Sequence, residues 1–113
     1  MAIQLKNVYT AQLGATDTTM YTCPANTVAV VKKCTACNDT TTIPTFDVNK
    51  VPSGGSVGDD NLLINTKPLG ANETYECPEV VGCILNEGDL LSGIASGASQ
   101  VTVNLDVIEM IQA

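Results

Sequence analysis

The sequence of 113 residues has no histidine, no arginine and no tryptophan, and its aromatic residues are three tyrosines and one phenylalanine. Without histidine, the chain lacks the commonest general base and the Ser-His and Cys-His nucleophile pairs. Without tryptophan, it has little aromatic surface on which a sugar ring can stack. We therefore expect a protein that is not an enzyme, has no catalytic residues and needs no cofactor.

Positive charge is also scarce. Five lysines stand against twelve acidic residues, so the formal net charge is −7 and the isoelectric point is about 4.1. Affinity for phosphate backbones and anionic lipids depends on clustered lysine and arginine. Neither nucleic acid nor a membrane is an expected partner.

Long hydrophobic runs are missing as well. Polar residues follow the segment Met1–Lys6, and the longest apolar runs are only a few residues. A secretory signal needs an unbroken apolar stretch of 7 to 15 residues, and a membrane-spanning helix needs about 20. The sequence predicts neither.

Five cysteines occur in a chain with no predicted export signal, so we expect reduced thiols. Cys34-x-x-Cys37 offers half of a zinc clamp, and Cys77 and Cys83 offer two further sulfur ligands. The separation of the second pair is wider than that of standard zinc motifs. We predict no metal site and interpret Cys34 and Cys83 as small core residues.

What the chain does contain is β-strand patterning. Hydrophobic residues make up 44% of the chain and charged residues 15%, which is enough for a hydrophobic core. In Val101–Val107, apolar and polar residues alternate strictly, as in a strand with one buried face. Further strands are predicted at residues 3–9, 17–22, 27–36, 42–48, 61–66, 73–76, 80–85 and 89–95.

Glycine, proline and asparagine separate these segments at the short intervals of sandwiches and barrels. The pattern predicts an all-β protein, a single antiparallel β-sandwich or jelly-roll domain of about eight short strands that spans residues 1–113. The glycine-rich segment 52–60 is predicted to be an exposed loop. The segment 85–90 is predicted to be a tight reversal.

Both terminal strands carry apolar residues on a face that should be polar. The outward face of the last strand is polar as far as residue 106 and then becomes apolar, and the first strand is similar. Either another strand of the same domain or a partner protein covers these residues. The predicted interface residues are Ile3, Leu5, Val8, Ile108 and Met110.

Four short segments resemble the small virion proteins of tailed phages. They are Thr19-Met-Tyr-Thr-Cys-Pro-Ala25, Val28-Ala-Val-Val-Lys32, Val51-Pro-Ser-Gly-Gly55 and Leu85-Asn-Glu-Gly-Asp-Leu90, and with the closing strand the resemblance covers about residues 16–107. That family consists of β-sandwich or jelly-roll proteins, including capsid decoration (cement) proteins and tail- or fibre-associated proteins. Cys23 and Cys77 depart from the family pattern, in which these positions are aliphatic.

The resemblance implies a non-enzymatic structural protein made in the host cytoplasm and located on the outer capsid surface of a phage virion. Its expected partners are the major capsid protein and copies of itself, as a dimer or trimer. As a decoration protein, it would stabilise contacts between capsomers. Two alternatives remain open: a tail adaptor or tail-fibre-base protein, and a free carbohydrate-binding β-sandwich.

Overall fold

The structure, a computed structural model, describes residues 1–112 and contains nine β-strands and one 3₁₀ turn, Asp59–Asn61. The strands are β1 Ala2–Gln12, β2 Thr18–Thr22, β3 Thr27–Cys37, β4 Thr45–Val51, β5 Leu62–Pro68, β6 Thr74–Tyr75, β7 Ile84–Leu85, β8 Leu90–Ala95 and β9 Thr102–Ile111. The part of the chain that the structure describes contains no helix long and apolar enough to cross a membrane.

The strands form two antiparallel sheets. Sheet A has the order β1-β9-β3-β6, with β7 also paired to β3, and sheet B has the order β2-β8-β4-β5. If β6 and β7 are counted as one interrupted strand, each sheet has four strands, as in a jelly roll. The prediction of an all-β sandwich is confirmed. The structure has nine strands, and two of them, β6 and β7, are only two residues long and lie within the predicted segments 73–76 and 80–85.

Alternation along β9 sets its inward face. Val103, Leu105 and Val107 are buried, as the sequence predicts. The strand continues beyond the predicted end at Val107, because the alternation continues with buried Glu109 and β1 and β3 pair with it as far as Ile111.

The core lies between the two sheets. Phe46, the single phenylalanine, is 1% exposed and meets the Tyr75 ring edge-on, with 6.4 Å between the ring centroids. Gly93 of β8 leaves room for two core side chains, since a Cβ atom there would lie 2.9 Å from a methyl carbon of Leu13 and 3.1 Å from the Met20 sulfur. A larger residue at this position would require these side chains to shift.

The predicted loops occur where the sequence places them. Residues 52–57 are all exposed. In the reversal between β7 and β8, the Asp89 carboxylate accepts hydrogen bonds from the backbone N–H groups of Asn86 (2.9 Å) and Ser53 (3.0 Å), and Gly88 adopts a φ of +85°. Asp89 thus ties the 52–60 loop to this turn.

Candidate interface on the outer face of sheet A

β9 lies between β1 and β3, so its outward side chains are flanked on both sides. The register aligns outward apolar residues in two rows across the three strands. The first row is Leu5, Ile108 and Val30, and the second is Ile3, Met110 and Val28. Ile84 of β7 pairs with Val30 and lengthens the first row. We call these seven residues the apolar face.

The apolar face is open to solvent. Leu5 is 69% exposed, Ile3 66% and Ile84 54%, and the other four residues are half-buried. Isolated exposed apolar residues are ordinary on protein surfaces, whereas a contiguous patch across four strands is typical of an interaction site. The position and continuity of this patch make it the candidate binding surface.

Four of the five sequence-predicted interface residues lie in the apolar face: Ile3, Leu5, Ile108 and Met110. Val8 lies elsewhere. The β1–β9 register shifts between Asn7 and Tyr9, and Val8, the extra residue, packs against the core. A bulge of this kind changes the direction in which the extra residue's side chain points. The alternation of apolar and polar residues along the sequence does not predict that change.

Sequence reasoning missed Val28, Val30 and Ile84. The signal for the first two was present, because β3 begins apolar on both faces. Such a pattern is typical of a strand near the middle of a sheet, but it also fits a strand whose second face meets a partner. Ile84 gave no comparable signal, since its strand is two residues long.

A second bulge, between Val31 and Lys33 of β3, lies opposite Asp106 and Val107 of β9, whereas the first lies opposite Leu105 and Asp106. Both bulges therefore adjoin Asp106. On the C-terminal side of Asp106 the outward residues of β9 are apolar, whereas Asp106 itself and the outward residues before it belong to a second, polar set.

We call the second set the polar half: Asn7, Thr10, Asn104 and Asp106. The Asn7 side-chain N–H₂ donates to Asn104 Oδ1 (2.8 Å) and Asp106 Oδ1 (2.7 Å), and the Thr10 hydroxyl donates to Asn104 Oδ1 (3.1 Å). These side chains satisfy one another and face water. Nothing in their chemistry requires a partner.

A buried carboxylate lies beneath the apolar face. Glu109 of β9 points inward and is 2% exposed, and its carboxylate accepts a 2.5 Å hydrogen bond from the Tyr21 hydroxyl. Lys6 of β1 approaches the same carboxylate at 3.6 Å. Burial, and then the hydrogen bond to Glu109, raise the pKa of Tyr21 well above its usual value. The cluster joins β1 and β9 of sheet A to β2 of sheet B.

The thiols do not gather into one site. Cys34 and Cys77 are buried together, and the hydrogen bond to Cys34, with burial, raises the pKa of Cys77. The Cys23 thiol donates to the Thr27 carbonyl at 3.3 Å, while Cys37 and Cys83 are partly exposed. Within residues 1–112, no three His, Cys, Asp or Glu side chains are grouped so as to hold a metal ion.

A shallow depression of about 480 Å³ lies between β3 and the segment 76–81. Its lining includes Lys32, Lys33, Glu76 and Asp106, which carry two charges of each sign. Such a balanced surface does not select a charged ligand of either sign. The apolar face is therefore the stronger candidate site.

No protein-family model matches the chain, and no curated protein matches its sequence. Among solved structures, the chain is similar to one from the structure of the Gx strain of infectious bursal disease virus. The TM-score is 0.47 and the sequence identity is 9%, and the match covers 97% of this chain and 32% of that chain. It is also similar to the VP2 subviral particle of that virus, with a TM-score of 0.49 and 9% identity over 98% and 33% of the two chains. The chain spans about a third of the length of these proteins, and no conclusion about function follows from likenesses at this level.

Proposed function

We propose that this chain is a non-enzymatic structural protein of a virus particle, and that the apolar face of sheet A binds to the protein surface of that particle. The observation that carries the proposal is the apolar face itself, seven outward residues in two rows on four strands, open to solvent within the described chain. The sequence resemblance to small tailed-phage virion proteins supports the same class of function.

Folding does not require the apolar face. A sandwich buries the inner faces of its two sheets and leaves the outer faces free to be polar, as the polar half is here. Burying a Leu, Ile or Val side chain in a contact contributes about 1.5–3 kcal/mol. Several such residues side by side are enough to hold one copy on a protein surface.

The finer proposal is a capsid decoration (cement) protein that binds the major capsid protein on the outer surface and stabilises contacts between capsomers. The charge distribution supports a protein partner, because β1 and β3 contain no acidic residue and the acids of β9 are Asp106 and the buried Glu109. The remaining acids keep the free chain soluble. Many weak contacts repeated over a lattice add up to stable binding.

The carbohydrate-binding alternative loses support from the positions of the aromatic residues. Phe46 and Tyr21 are buried in the core, at 1% and 8% exposure. The Tyr75 hydroxyl donates hydrogen bonds to the two carboxylate oxygens of Glu79, at 2.6 and 2.9 Å. Tyr9 is half-buried and packs against the core, so the four aromatic residues form no flat stacking platform for a sugar.

Co-sedimentation tests the proposal. The purified chain is mixed with DNA-filled and with emptied capsids of the phage that encodes it, and bound protein is measured in the pellet. The variant Ile108→Asp introduces a charge in the middle of the apolar face, and Asn104→Asp introduces the same charge on the same strand in the polar half. We expect wild type and Asn104→Asp to bind both kinds of capsid alike, and Ile108→Asp to lose at least about tenfold in affinity.

Failure of the wild-type chain to bind, or equal binding by Ile108→Asp, would overturn the proposal. A cryo-EM map of the decorated particle then separates the two virion locations. Density repeated over the capsid lattice supports a decoration protein. Density at one vertex alone would instead support a tail adaptor or tail-fibre-base protein.

A further inference from the structure

β1 forms one end of sheet A, and its outer edge pairs with no other strand of the described chain. We call residues Ala2–Asn7 the free half of β1. All six are exposed, on the inward as well as the outward face, so sheet B does not cover them. Their pairing with β9 is what holds them in the fold. An edge strand of this kind presents unpaired backbone N–H and C=O groups.

The remaining sheet edges are protected against pairing. At the far end of sheet A, β6 and β7 are two residues long. In sheet B, β2 has five residues and a bulge, and β5 has two register shifts, a positive φ at Thr66 and a proline at its end. Short strands, bulges and proline are the usual means by which proteins block edge pairing. The free half of β1 lacks all three, since its bulge comes after Asn7.

Charge favours approach along the same edge. None of the twelve acidic residues lies before Asp17, although the chain has a net charge of −7. Lys6 is the charged side chain of the free half, and it turns towards Glu109 of its own chain, at 3.6 Å. Two copies of an acidic protein can therefore meet here without bringing carboxylates together.

From these observations we infer that a second copy of this chain pairs antiparallel along the free half of β1, about a two-fold axis, and joins the two A sheets into one. With the axis at Gln4, Ile3 of one copy lies opposite Leu5 of the other on the outer face. The two apolar faces then become continuous. Such a contact is isologous, and its cross-strand apolar pairs stabilise it.

The pairing is a property of the free chain, whereas the use of the doubled apolar face on a particle rests on the proposed function. Antiparallel self-pairing of one strand has two-fold symmetry. The inference therefore selects the dimer over the trimer, the two states that the sequence leaves open.

Sedimentation equilibrium of the 113-residue chain tests the inference, with Gln4→Lys and Gln12→Lys as matched variants. Gln4 is opposite Glu109 on β9, so a lysine there suits the fold, but in the dimer it faces the same lysine across the axis. Gln12 is on the same strand beyond the bulge. We expect wild type and Gln12→Lys to have twice the 11.8 kDa chain mass. Gln4→Lys should dissociate at least about fivefold more readily, because like charges are directly opposed.

Amide hydrogen exchange supplies a second readout. In the wild-type dimer, amides within Ala2–Asn7 should gain protection as the protein concentration rises. A wild-type chain that stays monomeric up to about 1 mM, or a Gln4→Lys variant that dimerises like wild type, would overturn the inference.

The variants separate this inference from the proposed function. We expect Ile108→Asp to remain dimeric while losing affinity for capsids. A monomeric wild-type chain that still binds capsids would contradict the inferred dimer but not the proposed function. A dimer that binds no capsid would contradict the proposed function but not the inferred dimer.

Discussion

The two parts of the outer face of sheet A share the strands β1 and β9, yet they differ in chemistry. In the polar half, Asn7, Asn104 and Asp106 hydrogen-bond to one another and face water. In the apolar face, two rows of aliphatic side chains face water without cover. Because both parts belong to the same folded sheet, folding alone does not account for the difference. It shows where along β9 the proposed contact surface begins.

The largest expected effect separates the inner from the outer face of β9. Val103 is 1% exposed in the core, whereas Ile108 is half-buried on the outer face. Val103→Asp should abolish folding, because an unpaired buried carboxylate costs several kcal/mol against a total stability of about 5–15 kcal/mol. Ile108→Asp should fold. Circular dichroism and soluble yield measure both, and a soluble, folded Val103→Asp variant would show that the faces are reversed.

A smaller effect is expected at the cluster beneath the apolar face. Tyr21→Phe leaves the buried Glu109 carboxylate without its hydroxyl donor and should lower the free energy of unfolding by about 1–3 kcal/mol. Tyr75→Phe is the matched control, because its hydrogen bond to Glu79 is exposed. Urea unfolding compares the two variants. Equal losses would show that Tyr21 adds no more to stability than a surface tyrosine does.

The smallest effect is a gradual loss of stability at alkaline pH. Burial raises the pKa values of Tyr21 and Cys23 in the folded chain, and the hydrogen bond to Glu109 adds to the shift of Tyr21. Above the ordinary pKa values of 9.0 for the thiol and 10.0 for the phenol, the unfolded chain releases these protons while the folded chain keeps them. The unfolded state then binds fewer protons, so stability falls as pH rises.

Thermal melting between pH 7 and pH 11 measures this loss. The Tm should begin to fall near pH 9, and Tyr21→Phe should show a shallower fall above pH 10 because one of the two groups is gone. A Tm that stays constant or rises over this range would contradict the assignment of these groups as buried and protonated.

Much of the fold is predictable from the sequence, because alternation and turn residues are local signals. Val103, Leu105 and Val107 illustrate this, since each lies on its predicted inward face. Val8 shows the limit. A bulge depends on how β1 and β9 pair across about a hundred residues of sequence, and it re-aims one side chain without any local change in pattern.

The candidate site was predictable in part, for a different physical reason. Ile108 and Met110 stand out because they break a polar face, so the sequence marks them. Val28 and Val30 follow an apolar pattern on both faces of β3, and one chain cannot indicate whether the second face is covered by its own strands or by a partner. The register of β9 with β1 and β3 resolves this, since it places all of these residues on one open surface.

The two partly exposed thiols have a practical consequence. Cys37 lies in β3 beside β6, and Cys83 directly precedes β7, so both lie at the margin of sheet A opposite β1. A maleimide-linked gold cluster can therefore be attached to the natural chain at the end farthest from its free edge. In micrographs of labelled assemblies, the gold would mark the two outer ends of each inferred dimer and show how every molecule is oriented.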